Sequence, residues 1–305
     1  MPAVSDHEGL LDGLPLFWRS APVADGDVPT LYLHGVPSNS DDWIAPPPHR
    51  SVKPRWQRWW RPERPQDEVL EKPAYETGFL ERTGGLAPDL PGFGRSGKPG
   101  SLSYTIDEYD RFIERFLDQQ EVQRVNLVVH DWGAVGLAFA QRLPERVARL
   151  VIINAIPLLP GYRWHRTARF WRTVGLGELM MGTTNRLTLG VFSNESNVTP
   201  GPMPGSWIES VMGHFDQGTQ RAILRLYRSS PSEVLERAGE RLAELRMPAL
   251  VAWGTSDPYI PARFGRDYAA ILPDAELVEY PDAGHWAWLD RPDLIDRVAA
   301  FLSEG

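Results

Sequence analysis

Val125-Asn126-Leu127-Val128-Val129-His130-Asp131-Trp132-Gly133 decides how this chain is read. Its first five residues form a nearly continuous apolar run, as a short buried strand requires, and Gly133 to Arg142 carries the Ala and Gly positions of a closely packed helix. Asp131 therefore falls on a strand-to-helix turn, at the position where a nucleophilic serine often stands. A carboxylate there needs no base to activate it, and backbone N–H groups and the helix dipole favour its charged form. It suits displacement at a saturated carbon, which leaves an ester on the protein that water must later cleave.

Outward from this stretch, short apolar runs alternate with helical patterns, as a parallel sheet with crossover helices requires. Candidate strands are Thr30 to Leu33, Leu86 to Leu90, Val125 to Val129, Leu150 to Asn154, Ala249 to Trp253 and Leu277 to Tyr280, with helices over Tyr104 to Asp118 and Pro292 to Leu302. From about Pro157 to Leu245 the strand pattern stops and the text turns aromatic, Met-rich and helical. The division expected is a core over 1–156, a helical cap over 157–245 and a second core part over 246–305. A Trp/Arg/Pro-rich insertion over 45–78 carries Trp56, Trp59 and Trp60 among arginines. Two readings of it stand side by side: a surface-packed excursion, or a lid or partner surface.

The 305 residues, 42% of them hydrophobic, suffice for a full core. A formal net charge of -8 argues against nucleic acid and offers no affinity for an anionic membrane surface. The first thirty residues lack a basic start followed by an apolar run, so a cytoplasmic protein is the simplest expectation. With no cysteine, disulfides, thiolate catalysis and Cys-type metal sites are excluded.

Three further signals stand at predicted strand ends. Asp257 in Gly254-Thr255-Ser256-Asp257-Pro258 follows one strand, and His285 in Pro281-Asp282-Ala283-Gly284-His285-Trp286 follows the next. Taken singly, Asp131 suits a helix cap and Asp257 a turn. Taken in order, they read as nucleophile, acid and base, with Asp257 orienting His285. His34-Gly35-Val36-Pro37 closes the first candidate strand and suits an oxyanion hole, in which the N–H groups of Val36 and Trp132 meet the oxygen that turns negative during ester hydrolysis. Pro37 has no N–H and only shapes the turn, and His34 is expected to hold the loop.

These residues, with Trp43 and Pro88-Asp89-Leu90-Pro91-Gly92-Phe93-Gly94-Arg95-Ser96, make the chain resemble the aspartate-nucleophile branch of the α/β-hydrolases, which includes epoxide hydrolases and haloalkane dehalogenases. The resemblance covers nearly everything outside 45–78. It implies an α/β fold with a mostly parallel sheet, flanking helices and an inserted helical cap, and an enzyme without cofactor or metal. The partners implied are water and a small apolar epoxide or alkyl halide, and a homodimer is compatible with it.

The leaving group separates the two activities. An epoxide oxygen needs a proton donor, supplied in epoxide hydrolases by cap tyrosines. Tyr227 in Leu226-Tyr227-Arg228-Ser229 resembles one of them, and Tyr162 is the candidate for a second. A halide needs N–H donors, which in dehalogenases come from the Trp after the nucleophile, here Trp132, and from an Asn after His-Gly or a second Trp. Val36 takes that Asn position, while Trp164 and Trp171 are candidates to line a substrate pocket. Trp132 stands where fluoroacetate dehalogenases carry Arg, which argues against that substrate. The reading favoured here is an epoxide hydrolase, then a haloalkane dehalogenase, and last a non-catalytic small-molecule receptor.

Overall fold

In the computed structural model, which describes residues 3–46, 49–52, 68–71, 75–198 and 203–304, each of the six expected strands is present. The strands are β1 (Ser5–Leu11), β2 (Leu14–Ala21), β3 (Thr30–Leu33), β4 (His49–Val52), β5 (Glu68–Glu71), β6 (Gly85–Pro88), β7 (Val125–Asp131), β8 (Val147–Ala155), β9 (Ala249–Gly254) and β10 (Ala275–Tyr280). Eight form one sheet in the order β1-β2-β6-β3-β7-β8-β9-β10, parallel from β6 onward, with β1 and β2 antiparallel at one edge. This is the expected α/β-hydrolase arrangement.

Side chains alternate across the central strands, and that alternation sorts the core into two layers. Leu127 and Val129 of β7 pack with α2 (Ile106–Gln119), α3 (Val135–Arg142) and α10 (Arg263–Ile271). Val128 packs on the opposite face, with α1 (Phe79–Thr83), α11 (Ala287–Asp290) and α12 (Asp293–Ser303). Because both faces are covered, β7 is buried along its whole length, and its stretch from Leu127 to Val129 is wholly apolar. Thr105 starts α2 with a reciprocal capping box to Glu108, a Thr-x-x-Glu pattern that precedes a strongly amphipathic helix.

Between β8 and β9 the described residues form six α-helices: α4 (Arg166–Arg172), α5 (Leu176–Thr183), α6 (Arg186–Phe192), α7 (Gly205–Gly213), α8 (Gln217–Ser229) and α9 (Ser232–Ala238). None of the described helices is long and apolar enough to cross a membrane.

The edge hairpin of β1 and β2 lies outside the expected strand set. Its exposed residues, including Ser5, Asp6 and Glu8, blunt the apolar alternation that a half-buried strand would show. Its sequence signal is the turn: Asp12 and Gly13, with φ of 51° and 81°, join the strands as a two-residue Asp-Gly loop.

The insertion leaves and re-enters the core at one point. A Cβ on Gly78 would stand 2.5 Å from the Ile44 carbonyl carbon, and Ala45 N–H donates to Glu81. Within it, β4 and β5 pair antiparallel. Trp56, Trp59 and Trp60, on which the lid expectation rested, lie outside the described residues.

Candidate active site

Asp131 ends β7 with φ 47° and ψ -119°, a conformation that costs a non-glycine residue about 1–3 kcal/mol and that the surrounding structure must impose. The sheet imposes it: Asp131 pairs with Ala155 on β8, and its carbonyl accepts the N–H of Ile156 at 2.9 Å. Gly133 follows because a Cβ there would lie 2.0 Å from the Leu33 carbonyl oxygen. Gly35 is required in the same way, since its Cβ would lie 2.4 Å from the Asp131 Cβ. The end of β3 with its following loop is thus in direct contact with the elbow.

That contact sets the two carboxylate oxygens apart. Oδ2 of Asp131 accepts the Val36 N–H at 2.8 Å, while Oδ1 stands 3.7 Å from His285 Nε2. One oxygen therefore rests in the expected oxyanion hole, and the other faces the histidine. His34 holds the hole's loop: its Nε2 accepts the Leu90 N–H at 2.9 Å, which leaves Nδ1–H to donate to the Gly35 carbonyl at 2.8 Å. The anion-stabilising N–H groups expected at Asp131 are present, but burial outweighs them. It pushes the carboxyl above the ordinary carboxylate value, against His285 and the N–H groups of Val36 and Trp132.

Behind His285 stands Asp257, whose Oδ2 accepts from Nδ1 at 2.7 Å. The same oxygen accepts from Asn154 Nδ2 at 2.8 Å, and Oδ1 accepts the N–H groups of Tyr259 and Ile260. Asn154, at φ 37° near the end of β8, also exchanges two hydrogen bonds with the Gly254 backbone. It locks the β9 loop that carries the acid, a role its place at the end of a predicted strand could have flagged. The backbone N–H of His285 donates to the Ser196 carbonyl at 2.9 Å, which ties the histidine's loop to the cap. Asp42 is a buried carboxylate that sequence reasoning passed over. It accepts from Ser38 and from Trp286 Nε1, and burial pushes it up to about 7.

Burial alone would lower the His285 pKa, but the carboxylates of Asp257, Asp131 and Asp42 outweigh it and raise the pKa above the ordinary 6.5. As a base the ring must be neutral, so ester hydrolysis is expected to slow as the pH falls through the pKa that His285 has in the ester intermediate. Esterification removes the charge of Asp131. The acid limb of kcat should therefore lie below the pKa of the resting histidine. Comparing the pH–rate profile with an NMR titration of His285 checks this, and a limb at or above the resting pKa would contradict it.

Above Asp131 lies a mostly apolar cavity. Val36, Ile156, Met180, Met181, Leu189, Phe215 and Ile223 line it, together with Asp131, His285, Trp171, Trp207, Tyr227, Tyr259 and His165. Tyr227 meets the edge or face of Trp132, Trp164 and Trp171 with ring centroids 4.9–5.2 Å apart. Burial, and then the nearby Asp131 charge, raise its phenol well above 10, which keeps the proton on it.

Of the expected pocket residues, Trp171 and Tyr227 reach the cavity, whereas Trp164 and Tyr162 pack in the layer behind it. Trp164 donates its Nε1–H to the Ser230 carbonyl at 3.0 Å, so that donor is already engaged. Tyr162 sits edge-on to Trp164 and Phe264, and its hydroxyl has no partner among the described residues. The second phenol lining the cavity is instead Tyr259, edge-on to His285 and bonded to Ser196. Trp132 contributes its backbone N–H at the elbow. Its indole stacks on Trp164, with Nε1 buried beside the Tyr227 hydroxyl. Among those residues no group of three or more His, Cys, Asp or Glu could hold a metal ion.

The sequence pattern of the alpha/beta hydrolase fold family matches residues 31–292. The chain belongs to that family. A cis-3-alkyl-4-alkyloxetan-2-one decarboxylase of Xanthomonas campestris is 28% identical over 95% of this hydrolase and 93% of its own length. A haloalkane dehalogenase of Bradyrhizobium diazoefficiens is 26% identical over 94% and 90%. Among solved structures, a haloalkane dehalogenase from Bradyrhizobium elkani superposes with a TM-score of 0.75, at 22% identity over 99% of this chain and 98% of its own. The epoxide hydrolase CorEH also superposes at 0.75, with 18% identity over 99% of both chains. The hydrolase thus stands in the dehalogenase and epoxide hydrolase-like branch that its elbow resembles, and the fold it shares with both groups leaves the leaving group to the cavity.

Proposed function

We propose that this hydrolase opens epoxides to vicinal diols. The observation that carries the proposal is Tyr227, a protonated phenol lining the cavity that holds Asp131 and His285. Asp131 Oδ1 attacks a ring carbon, the C–O bond breaks with its electron pair on oxygen, and the Tyr227 proton passes to that oxygen. His285 Nε2 then takes a proton from water as its oxygen adds to Cγ of the ester. The resulting oxyanion forms on Oδ2, which already lies at the Val36 N–H. Collapse releases the diol, which takes its proton from His285. The proton left on the regenerated carboxyl returns to the Tyr227 phenolate.

A second reading, dehalogenation, draws support from the buried Trp132 Nε1–H beside Tyr227 and from the relatives named haloalkane dehalogenases. The experiment is incubation with an aromatic epoxide, a bromoalkane and a cis-dialkyl oxetan-2-one, scoring diol, bromide and carbon dioxide. Diol formation is expected. Bromide or carbon dioxide without diol would overturn the proposal.

A further inference from the structure

His165 is the N-cap residue of α4, where its ring Nδ1 accepts the Ala168 N–H at 3.4 Å. A ring nitrogen that accepts a backbone N–H carries no proton, so in the neutral imidazole the proton is on Nε2. Burial pushes the ring's pKa down to about 4, so the neutral form prevails at ordinary pH. Aromatic neighbours fix the ring in place: Tyr259 at 4.9 Å between centroids, Trp164 at 6.4 Å and Trp171 at 6.5 Å. Nε2 has no hydrogen-bond partner among the described residues, and His165 lines the cavity that holds Asp131. Three hydroxyls on that wall are engaged elsewhere: Thr184 with the Met180 carbonyl, Ser193 with the Gly190 carbonyl and Ser196 with Tyr259. Among the described residues no Lys or Arg lines the cavity.

We propose that His165 Nε2–H forms a binding subsite for a neutral oxygen acceptor, a carbonyl, ether or hydroxyl, on the part of the substrate that does not react. The substrate class becomes an apolar epoxide bearing one further oxygen. A carboxylate does not fit, because a neutral donor in an apolar cavity offers no charge to offset its desolvation. The subsite rests on the epoxide reading only for the reacting end, because its recognition chemistry holds whichever leaving group Asp131 displaces.

The test separates donation from capping. His165→Ser keeps an oxygen to cap α4 but removes the ring donor, and His165→Gln gives up the cap while its amide N–H reaches about as far from the backbone as Nε2. The probe is N-butylacetamide, a non-reacting acceptor, with its Kd read from tryptophan fluorescence and Tm measured alongside. His165→Ser is expected to bind it about fivefold more weakly at a Tm near that of the wild type, and His165→Gln to keep affinity within about twofold of the wild type. Unchanged binding in His165→Ser overturns the subsite. So does an equal loss in both variants. Because the readout is binding without turnover, failure of the diol assay leaves this outcome intact, and the reverse also holds.

Discussion

In the His285→Gln protein, substrate is expected to add to Asp131 and stay there. The nucleophile needs no general base to attack, since Oδ1 is a carboxylate oxygen whose partner oxygen is already held by the Val36 N–H. Hydrolysis does need it, because the geometry offers His285 Nε2, 3.7 Å from Oδ1, as the base for water. Loss of a positioned general base typically costs about 10²–10⁴-fold, so steady-state turnover should fall by at least that range while the first half-reaction persists. The readout is intact-protein mass after incubation with substrate. An epoxide adds its whole mass, because no atom leaves, whereas an alkyl bromide adds only its alkyl group. The variant therefore reports the leaving group as well as the mechanism. No adduct from a substrate that the wild type turns over would remove Asp131 as nucleophile.

Tyr227→Phe should split the two chemistries. Removing the hydroxyl deletes the proton donor but keeps the ring that packs against Trp132, Trp164 and Trp171. Epoxide opening is expected to fall by about 10²-fold or more, while bromide release from a bromoalkane, which needs no proton, stays within a few-fold. With its pKa well above 10, Tyr227 should impose no limb on the wild-type profile below that pH. Equal losses on both substrates would show that the phenol acts through packing, and an unaffected epoxide rate would assign the proton to another group.

The central strands and the triad were legible because each carries its signal locally. A strand buried on both faces must be written in apolar residues, and Asp131 ends one such run while Asp257 lies just beyond another; His285 follows the half-exposed edge strand β10, which Leu277 and Val278 still mark. The edge hairpin was not, because solvent on its outer side permits Asp6 and Glu8 and dilutes the apolar pattern, leaving only Asp12-Gly13 to mark the turn. The cap was legible as a helical region but not residue by residue. Tyr162 and Tyr259 are both buried or half-buried phenols, and nothing in their neighbours along the chain says which one lines the cavity.

By itself the sequence determined that a carboxylate would stand at a strand-to-helix turn with a histidine and a second carboxylate following in order. Local rules suffice for that: strand period, turn chemistry and the spacing of elements. Only the tertiary structure decided how the two oxygens of Asp131 divide between the Val36 N–H and His285, that Asn154 steadies Asp257, and that Tyr227, Tyr259 and His165 rather than Tyr162 and Trp164 surround the substrate. The physical reason is that a side chain's neighbours in the cap are set by how helices pack over the sheet, and contacts between residues far apart in the chain leave no periodic mark in either segment.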